Sequence, residues 1–576
     1  MQTKSRYLLH LSSIGRTSSL QTRMSSSPPP PSSFPSSSSS QRPQVIVLAG
    51  PTAVGKSAVA RYLIEKLRIE AEIIVGDSVQ VYRHMDIGSN KPTREEQALV
   101  PHHLVDIRNP KDPMNAGDFV QAATPIIFDI LSRNKVPIIV GGSTMWLQWL
   151  VHGTPDAPKS SEYAIQESER LIGHLHRNQD WMDAVHIAEQ YDPKRISKLP
   201  KNDWYRLRRY LEIALTSKRQ YDTRNKKEDS GDDNGSLTGM RIVPLKDVDV
   251  RGFFLSETRD ALYRVIDSRC EEMLMNSSSF PKIPISLPGQ GVLELESLFG
   301  ETTRLLIDDM LDMNTTVAKA IGYRQAIQYL CRFDFQENDR DALVDFIDNF
   351  ATVTRNYAQK QLKWYRKDDA FLWLQVNRSI PNASQRISEE IVYWLNQDKS
   401  QFDATIKLQM DVCKVIQSLR NDKRLLQEYN AIPKEELSEV HRQAVEYLQK
   451  YESFSKDDIG KERTTNDDGM KVKESDPISA YIAGVRSSET INSKALRTYV
   501  SNSPLLLKEP SNSSKSKKLI YVPTKKQMEA RDTALQILCR KADECSLILR
   551  NYRPDLVEAV ATMTDGDFGG SADESG

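Results

Sequence analysis

Residues Gly50-Pro51-Thr52-Ala53-Val54-Gly55-Lys56-Ser57 fit the spacing G-x-x-x-x-G-K-[ST] and lie between the apolar run Val45-Ile46-Val47-Leu48 and the helix-forming run Ala58 to Leu67. Few motifs constrain a fold so tightly, because the spacing works only as a strand, a tight glycine turn and a helix in that order. The two glycines let backbone N–H groups wrap a phosphate. Lys56 brings a point charge to its oxygens, and Ser57 can ligate a magnesium ion that bridges them. Gly50, Thr52, Ala53, Val54, Gly55, Lys56 and Ser57 are therefore the expected diphosphate cradle, with Mg2+ as cofactor. The motif leaves open which phosphorylated ligand is bound.

Two further strand-turn units repeat the pattern. Glu72-Ile73-Ile74-Val75 runs into Gly76-Asp77-Ser78, and Pro137-Ile138-Ile139-Val140 runs into Gly141-Gly142-Ser143. Helical apolar spacing from Asp118 to Arg133 lies between them, so the reading is βαβ and an open parallel sheet whose carboxyl-end loops share one crevice. From Ser160 to Ser217 only helices are expected, closing with Trp204, Leu207, Leu211 and Leu215 on one face. Arg224 to Gly239 is charged and Gly/Ser-rich and reads as a mobile loop. Strand-like residues return at Arg251-Gly252-Phe253-Phe254-Leu255 and Ala370-Phe371-Leu372-Trp373-Leu374.

The expected class is α/β: a P-loop NTPase-like parallel sheet with an inserted all-helical domain and a C-terminal extension, part helical and part disordered. The expected divisions are 1–42, a disordered leader; 43–158, the first part of the core; 159–240, helical insert and loop; 241–395, the second part of the core; and 396–576, the extension.

The 78 basic and 78 acidic residues balance, so any nucleic-acid surface has to be local. The five cysteines form no CxxC pair and have no histidines at zinc-ligand spacing, which reads as buried thiols in a reducing compartment. No stretch reaches the roughly 18 consecutive apolar residues of a membrane span. The first acidic residue is Glu65, after a leader that carries Lys4, Arg6, Arg16, Arg23 and Arg42 among serines and prolines. That composition is what an organellar transit peptide shows, so the expected site is a plastid or mitochondrion, with the cytoplasm the alternative and a plain Ser/Pro tail the other reading of the segment.

The second loop, Asp77-Ser78-Val79-Gln80-Val81-Tyr82-Arg83-His84-Met85-Asp86-Ile87-Gly88-Ser89-Asn90-Lys91-Pro92, has no use in an ordinary kinase. Together with Pro101-His102-His103-Leu104-Val105-Asp106-Ile107 and Gly141-Gly142-Ser143, its order and spacing resemble those of the tRNA dimethylallyltransferases, from about Val45 to Leu374. The resemblance implies transfer of a prenyl group from dimethylallyl diphosphate to an exposed adenine beside the anticodon. The partners it implies are a tRNA anticodon stem-loop and the prenyl donor, with a monomer acting away from membranes. Such a reaction needs a base for the amine proton, and Asp77 at a strand end is the candidate. Ser57 and Arg259 are the other candidate catalytic residues; by resemblance Arg259 joins Lys56 on the leaving diphosphate.

For RNA, the basic and aromatic residues of 202–209 and 354–367 suit phosphate neutralisation and base stacking. By resemblance the tRNA-binding set is Asp77, Ser78, Val79, Gln80, Ser143, Tyr205, Arg206, Arg209, Tyr323, Arg324, Arg355 and Lys360. The chain departs from the family pattern at Thr144 and at Gln359-Lys360, and it lacks a C-terminal Cys2His2 finger. Two other readings compete: an adenylate dimethylallyltransferase acting on free AMP, ADP or ATP, and a P-loop nucleotide kinase or nonenzymatic nucleotide-binding module.

Overall fold

A computed structural model describes residues 42–154, 160–225, 244–275, 282–287, 291–313, 315–421, 437–452 and 525–563. The leader read as a transit peptide, most of the loop read as mobile and the polar stretches of the C-terminal extension lie outside these residues.

The strands are β1 (Gln44–Ala49), β2 (Ala71–Gly76), β3 (His102–His103), β4 (Val136–Gly141), β5 (Asp249–Ser256), β6 (Ile283–Leu287), β7 (Gly291–Leu295) and β8 (Phe371–Gln375). Interleaved with them are α1 (Lys56–Glu65), α2 (Arg94–Leu99), α3 (Ala116–Ser132), α4 (Thr144–His152), α5 (Glu162–Arg177), α6 (Trp181–Glu189), α7 (Pro193–Ile196), α8 (Trp204–Asn225), α9 (Arg259–Met275), α10 (Ser297–Ile307), α11 (Tyr323–Leu330) and α12 (Arg340–Tyr365). After β8 come α13 (Ala383–Leu395), α14 (Lys399–Asn421), α15 (Glu439–Glu452), α16 (Lys525–Tyr552) and α17 (Pro554–Thr562).

Six strands form one parallel sheet in the order β3-β2-β4-β1-β5-β8. β2 is buried at every position and the run Val45 to Ala49 in β1 likewise, as expected where helices cover both faces. That is why these strands read as continuous apolar runs. The exception is Glu72, whose buried carboxylate accepts from Lys135 at 2.9 Å and from Arg133, with His103 Nε2 at 2.9 Å. The Arg133 hydrogen bonds hold its pKa well below the usual carboxylate range. Parallel order puts the carboxyl ends of all six strands on one edge, so the P-loop, Asp77 and Gly142-Ser143 leave adjacent strands in register.

Helices α5 to α8 bury their own apolar cluster, which includes Ile172, Trp181, Ala184, Leu207, Leu211 and Leu215, apart from the main core. The hairpin β6-β7 was not expected from sequence, although Ile283 to Leu287 alternates buried and exposed as a strand should. The C-terminal extension also departs from expectation. Leu535, Leu538, Cys539, Cys545 and Leu549 of α16 belong to the main core, so that helix completes the fold instead of trailing from it. Among the described residues no helix is long and apolar enough to cross a membrane.

Because the insert has a separate core, Leu211→Ala is expected to cost about 2–5 kcal/mol within it. Amide exchange should then rise in α5 to α8 and stay unchanged in the sheet; equal loosening of β1 and β4 would contradict the separation.

Candidate functional site

The cradle begins where β1 ends. Gly50 has φ 153°, Ala53 φ 65° and Gly55 φ 106°, and Gly55 caps α1 in the left-handed region. A Cβ at Gly50 would stand 2.8 Å from Leu255 O and 2.9 Å from Val54 Cγ1, so closeness to β5 requires glycine there. The ammonium of Lys56 donates to Gly50 O and Pro51 O, each at 2.9 Å. Enclosure lowers its pKa to about 8; Asp77 opposes the shift and Arg269 adds to it. Ser57 is exposed in the first turn of α1.

Two side chains from distant parts of the chain clamp the loop. Gln361 on α12 accepts from Thr52 N at 2.9 Å and donates to Gly142 O at 2.9 Å, bridging the turns after β1 and β4. Arg378, just after β8, donates to Ala53 O at 3.0 Å and Val54 O at 2.9 Å. Its backbone N–H and that of Thr258 are taken by the buried carboxylate of Glu257.

Asp77 follows β2, with β4 between it and the P-loop strand. Its Oδ1 accepts from Val79 N at 2.9 Å and Gln80 N at 3.3 Å, which fixes the carboxylate at the head of the second loop. Ser78 N donates to Ser143 Oγ at 2.9 Å, and Gln80 Nε2 donates to Ser89 O and Asn90 O. The far side of that loop is held from α10. Glu301 accepts from the backbone N–H groups of Asp86, Ile87 and Gly88 at 2.8, 2.8 and 3.0 Å and from the Tyr323 hydroxyl at 2.5 Å. Lys91 donates to Tyr82 O, Asp86 and Asp106. A Cβ at Gly88 would meet the Tyr323 ring at 2.5 Å, so this glycine is needed for close approach.

Between the two loops lies a cleft open to solvent at its mouth. Its lining includes Thr52, Asp77, Ser78, Ser89 and Arg269 together with the apolar Ile266, Met273, Val317, Ile321 and Phe350 and with Tyr82, Thr316, Thr354 and Tyr357. Arg269 donates to Thr52 Oγ1 at 3.2 Å, and burial lowers its pKa. Lys56, Arg269 and Asp77 are close enough to shift one another's charge, so two cations and one carboxylate share a partly desolvated region beside the cleft. The oxygens of Ser57 and Asp77 are hard donors of the kind Mg2+ takes, and the glycine turn beside them leaves no room for a side chain, so the site suits that ion.

The structure sorts the residues expected from sequence. Thr52 and Ala53 of the cradle line this cleft with Asp77, Ser78 and Val79; Ser143 is tied to it through Ser78 N and Gln80 N through Asp77, while Gly50, Val54, Gly55, Lys56 and Ser57 are not part of its lining. Arg259 opens α9, while the helix reaches the cleft through Ile266, Arg269, Cys270 and Met273; Arg269 lies ten positions, about 15 Å, further along. Two residues of the expected RNA set lie inside the fold. Tyr323 is fully buried on Glu301, and Arg355 is buried in an ion pair with Asp267 at 2.5 Å that ties α12 to α9. Tyr205 and Arg206 are exposed on α8, Arg206 being 2.7 Å from Asp203; Arg209 touches Ser160 and lies near Glu212. Lys360 and Trp364 are exposed on α12. Arg324 is half-buried at the start of α11.

Arg269, Gln361, Arg378 and Glu301 were not read from sequence. The available signal for Arg269 was a cation inside the apolar spacing Ile266, Cys270, Met273.

A profile for the IPP transferase family matches residues 80–279 and 292–368. The chain is similar to tRNA dimethylallyltransferase 9 of Arabidopsis thaliana, with 36% identity over 60% of this chain and 74% of that one. It is also similar to the tRNA dimethylallyltransferase of Protochlamydia amoebophila, at 34% identity over 59% of this chain and 87% of that one. Among solved structures it resembles the full-length tRNA isopentenylpyrophosphate transferase of Bacillus halodurans, at 26% identity and a TM-score of 0.40, over 63% of this chain and all of that one.

Loss of the Gln361 bridge should be costly. Gln361→Leu leaves Thr52 N and Gly142 O unpaired, and each buried orphan costs about 1–3 kcal/mol. Denaturant unfolding together with binding of inorganic diphosphate should show both lower stability and weaker binding; unchanged diphosphate binding would contradict the clamp.

Proposed function

Because the chain belongs to the tRNA dimethylallyltransferase (IPP transferase) family, we propose that it moves a dimethylallyl group from dimethylallyl diphosphate to the exocyclic N6 of an adenine beside the tRNA anticodon. The observation that carries this is a cleft whose lining joins the P-loop residue Thr52, Asp77 and Arg269 to a set of apolar side chains, Ile266, Met273, Val317, Ile321 and Phe350. A prenyl diphosphate asks for both, cations for its phosphates and apolar surface for its carbons.

In this reading the N6–C bond forms as the C–O bond to diphosphate breaks. The bonding pair leaves with the diphosphate, where Lys56 and Arg269 offset the growing charge. Arg259, at the start of the same helix, adds to that positive field. Asp77 accepts the proton of the amine, its carboxylate already aimed by Val79 N and Gln80 N. Ser57 would hold magnesium, which when bound would add charge neutralisation to the diphosphate. The target base turns out of its stack to reach the cleft, with Gln80 and the Ser78–Ser143 pair at its edge. Tyr205, Arg206, Arg209, Arg324 and Lys360 serve the RNA backbone and loop bases.

The same reading has the chain acting as a monomer. The acid-free leader supports import into a plastid or mitochondrion, the cytoplasm being the other compartment considered.

The decisive assay incubates the full chain with dimethylallyl diphosphate, Mg2+ and either unmodified tRNA or AMP, followed by nucleoside mass spectrometry. Prenylated adenosine is expected from tRNA; its appearance from AMP alone would favour the free-nucleotide enzyme and overturn the proposal. Asp77→Asn should keep donor binding while kcat falls about a hundredfold to ten-thousandfold, and near-normal turnover would remove the base role.

Lys56 adds a pH signature. Its lowered pKa of about 8 means the free site carries the cation below that pH and loses it above. Bound diphosphate favours the charged form, so donor affinity should be flat below pH 8 and weaken by up to about tenfold per pH unit above it. Calorimetric titration of the donor without tRNA checks this, and a flat profile through pH 9 would contradict it.

A further inference from the structure

The C-terminal helix α16 and the start of α17 meet the ends of four other helices, and each meeting has complementary charge. Lys541 donates to Met275 O, the last carbonyl of α9, at 3.1 Å and lies 3.3 Å from Glu296. Arg553 donates to Leu306 O in the last turn of α10 at 2.5 Å. Ser546 Oγ donates to Leu330 O, the last carbonyl of α11, at 2.8 Å, and Arg550 donates to Arg332 O just beyond it at 2.7 Å. At the opposite kind of end, Asp543 accepts from Asn338 N at 3.1 Å and Asp532 pairs with Arg340, both at the N-terminus of α12.

Helix C-termini expose orphan carbonyls and partial negative charge, and N-termini the reverse. Helix α16 and the Arg553 that follows it therefore offer cations or a hydroxyl to three C-termini and carboxylates to one N-terminus, while Leu535, Leu538, Cys539, Cys545 and Leu549 of α16 are buried beneath. Chance surface packing does not match sign at four helix ends.

Those four helices build the cleft. α9 carries Arg269 and Met273, α10 carries the Glu301 that holds Asp86 to Gly88, α11 carries Tyr323 against Gly88, and α12 carries Phe350, Thr354 and Gln361. The match to the family profile ends at residue 368, so α16 lies outside it.

We propose that residues 525–562 are an intramolecular clasp, docked on the ends of α9, α10, α11 and α12, that sets the geometry of the donor cleft. Lys541, Ser546, Arg550 and Arg553 are positioning residues, acting on the diphosphate only through the helices they hold. The prenyl donor's place in this statement rests on the transferase reading above; the clasp itself does not.

The test uses the full chain carrying Lys541→Glu and Arg553→Glu, with Lys541→Arg and Arg553→Lys as the conservative control. Amide exchange should rise by about tenfold or more in α9, α10 and residues 85–91, and the KM for dimethylallyl diphosphate should rise about tenfold with the KM for tRNA within twofold. The conservative control should stay close to the parent in both. If exchange in α9, α10 and residues 85–91 stays at the parent rate, the clasp is overturned, whether or not α16 itself loosens. Exchange is read without any reaction, so it stands even if the transferase reading fails. Should the double reversal not fold, Ser546→Ala with Arg550→Ala is judged by the same two outcomes.

Discussion

A Cβ on Gly50 would lie 2.8 Å from the carbonyl oxygen of Leu255, so the turn that cradles phosphate is pressed against the neighbouring strand with no room for a side chain. The rest of the site depends on that contact. Since β1 lies between β4 and β5, a turn held this closely is also held relative to Gly142 and Ser143 on one side and Glu257 on the other. Gln361 and Arg378 complete the restraint by taking up the loop's backbone groups from opposite directions. Such a cradle is set before ligand arrives, and preorganised donors are what stabilise a leaving diphosphate at low reorganisation cost.

The charges are arranged by the same logic. Lys56 and Arg269 each have their pKa lowered by burial, and Asp77 opposes the shift at both. An incoming diphosphate therefore meets cations that are incompletely compensated and poorly solvated. The second loop is fixed by more costly means, since Glu301 is buried and its carboxyl pushed upward in pKa, yet three backbone N–H groups and the Tyr323 hydroxyl satisfy it. A buried acid so fully hydrogen-bonded specifies one loop conformation.

What could be read from sequence was what is local. The P-loop, the strands around Ile46, Ile74, Ile139 and Phe254, and the head of the second loop follow from short windows in which pattern and turn chemistry agree. Arg269, Glu301, Gln361 and Arg378 act across long separations in the chain, and no window contains both partners. Arg355 shows the second reason. Basic and aromatic residues interleave along α12, and composition does not say which face turns inward; Arg355 pairs with the buried Asp267. Tyr323, expected from the resemblance, lies buried on Glu301. In α16 the spacing Leu535, Leu538, Cys539, Cys545, Leu549 is that of an ordinary amphipathic helix, and its assignment to the core required the partner helices to be in place.

Everything depends on where the donor lies: its diphosphate in the P-loop turn and its prenyl chain against the apolar side chains of the cleft. Determining the structure with a non-reactive analogue of dimethylallyl diphosphate tests this directly. The account predicts the diphosphate in the turn from Gly50 to Ser57 with Lys56 and Arg269 on its oxygens, and the prenyl carbons against Ile266, Met273 and Phe350. A diphosphate bound elsewhere, or an adenine ring against that wall in place of the prenyl chain, would contradict it.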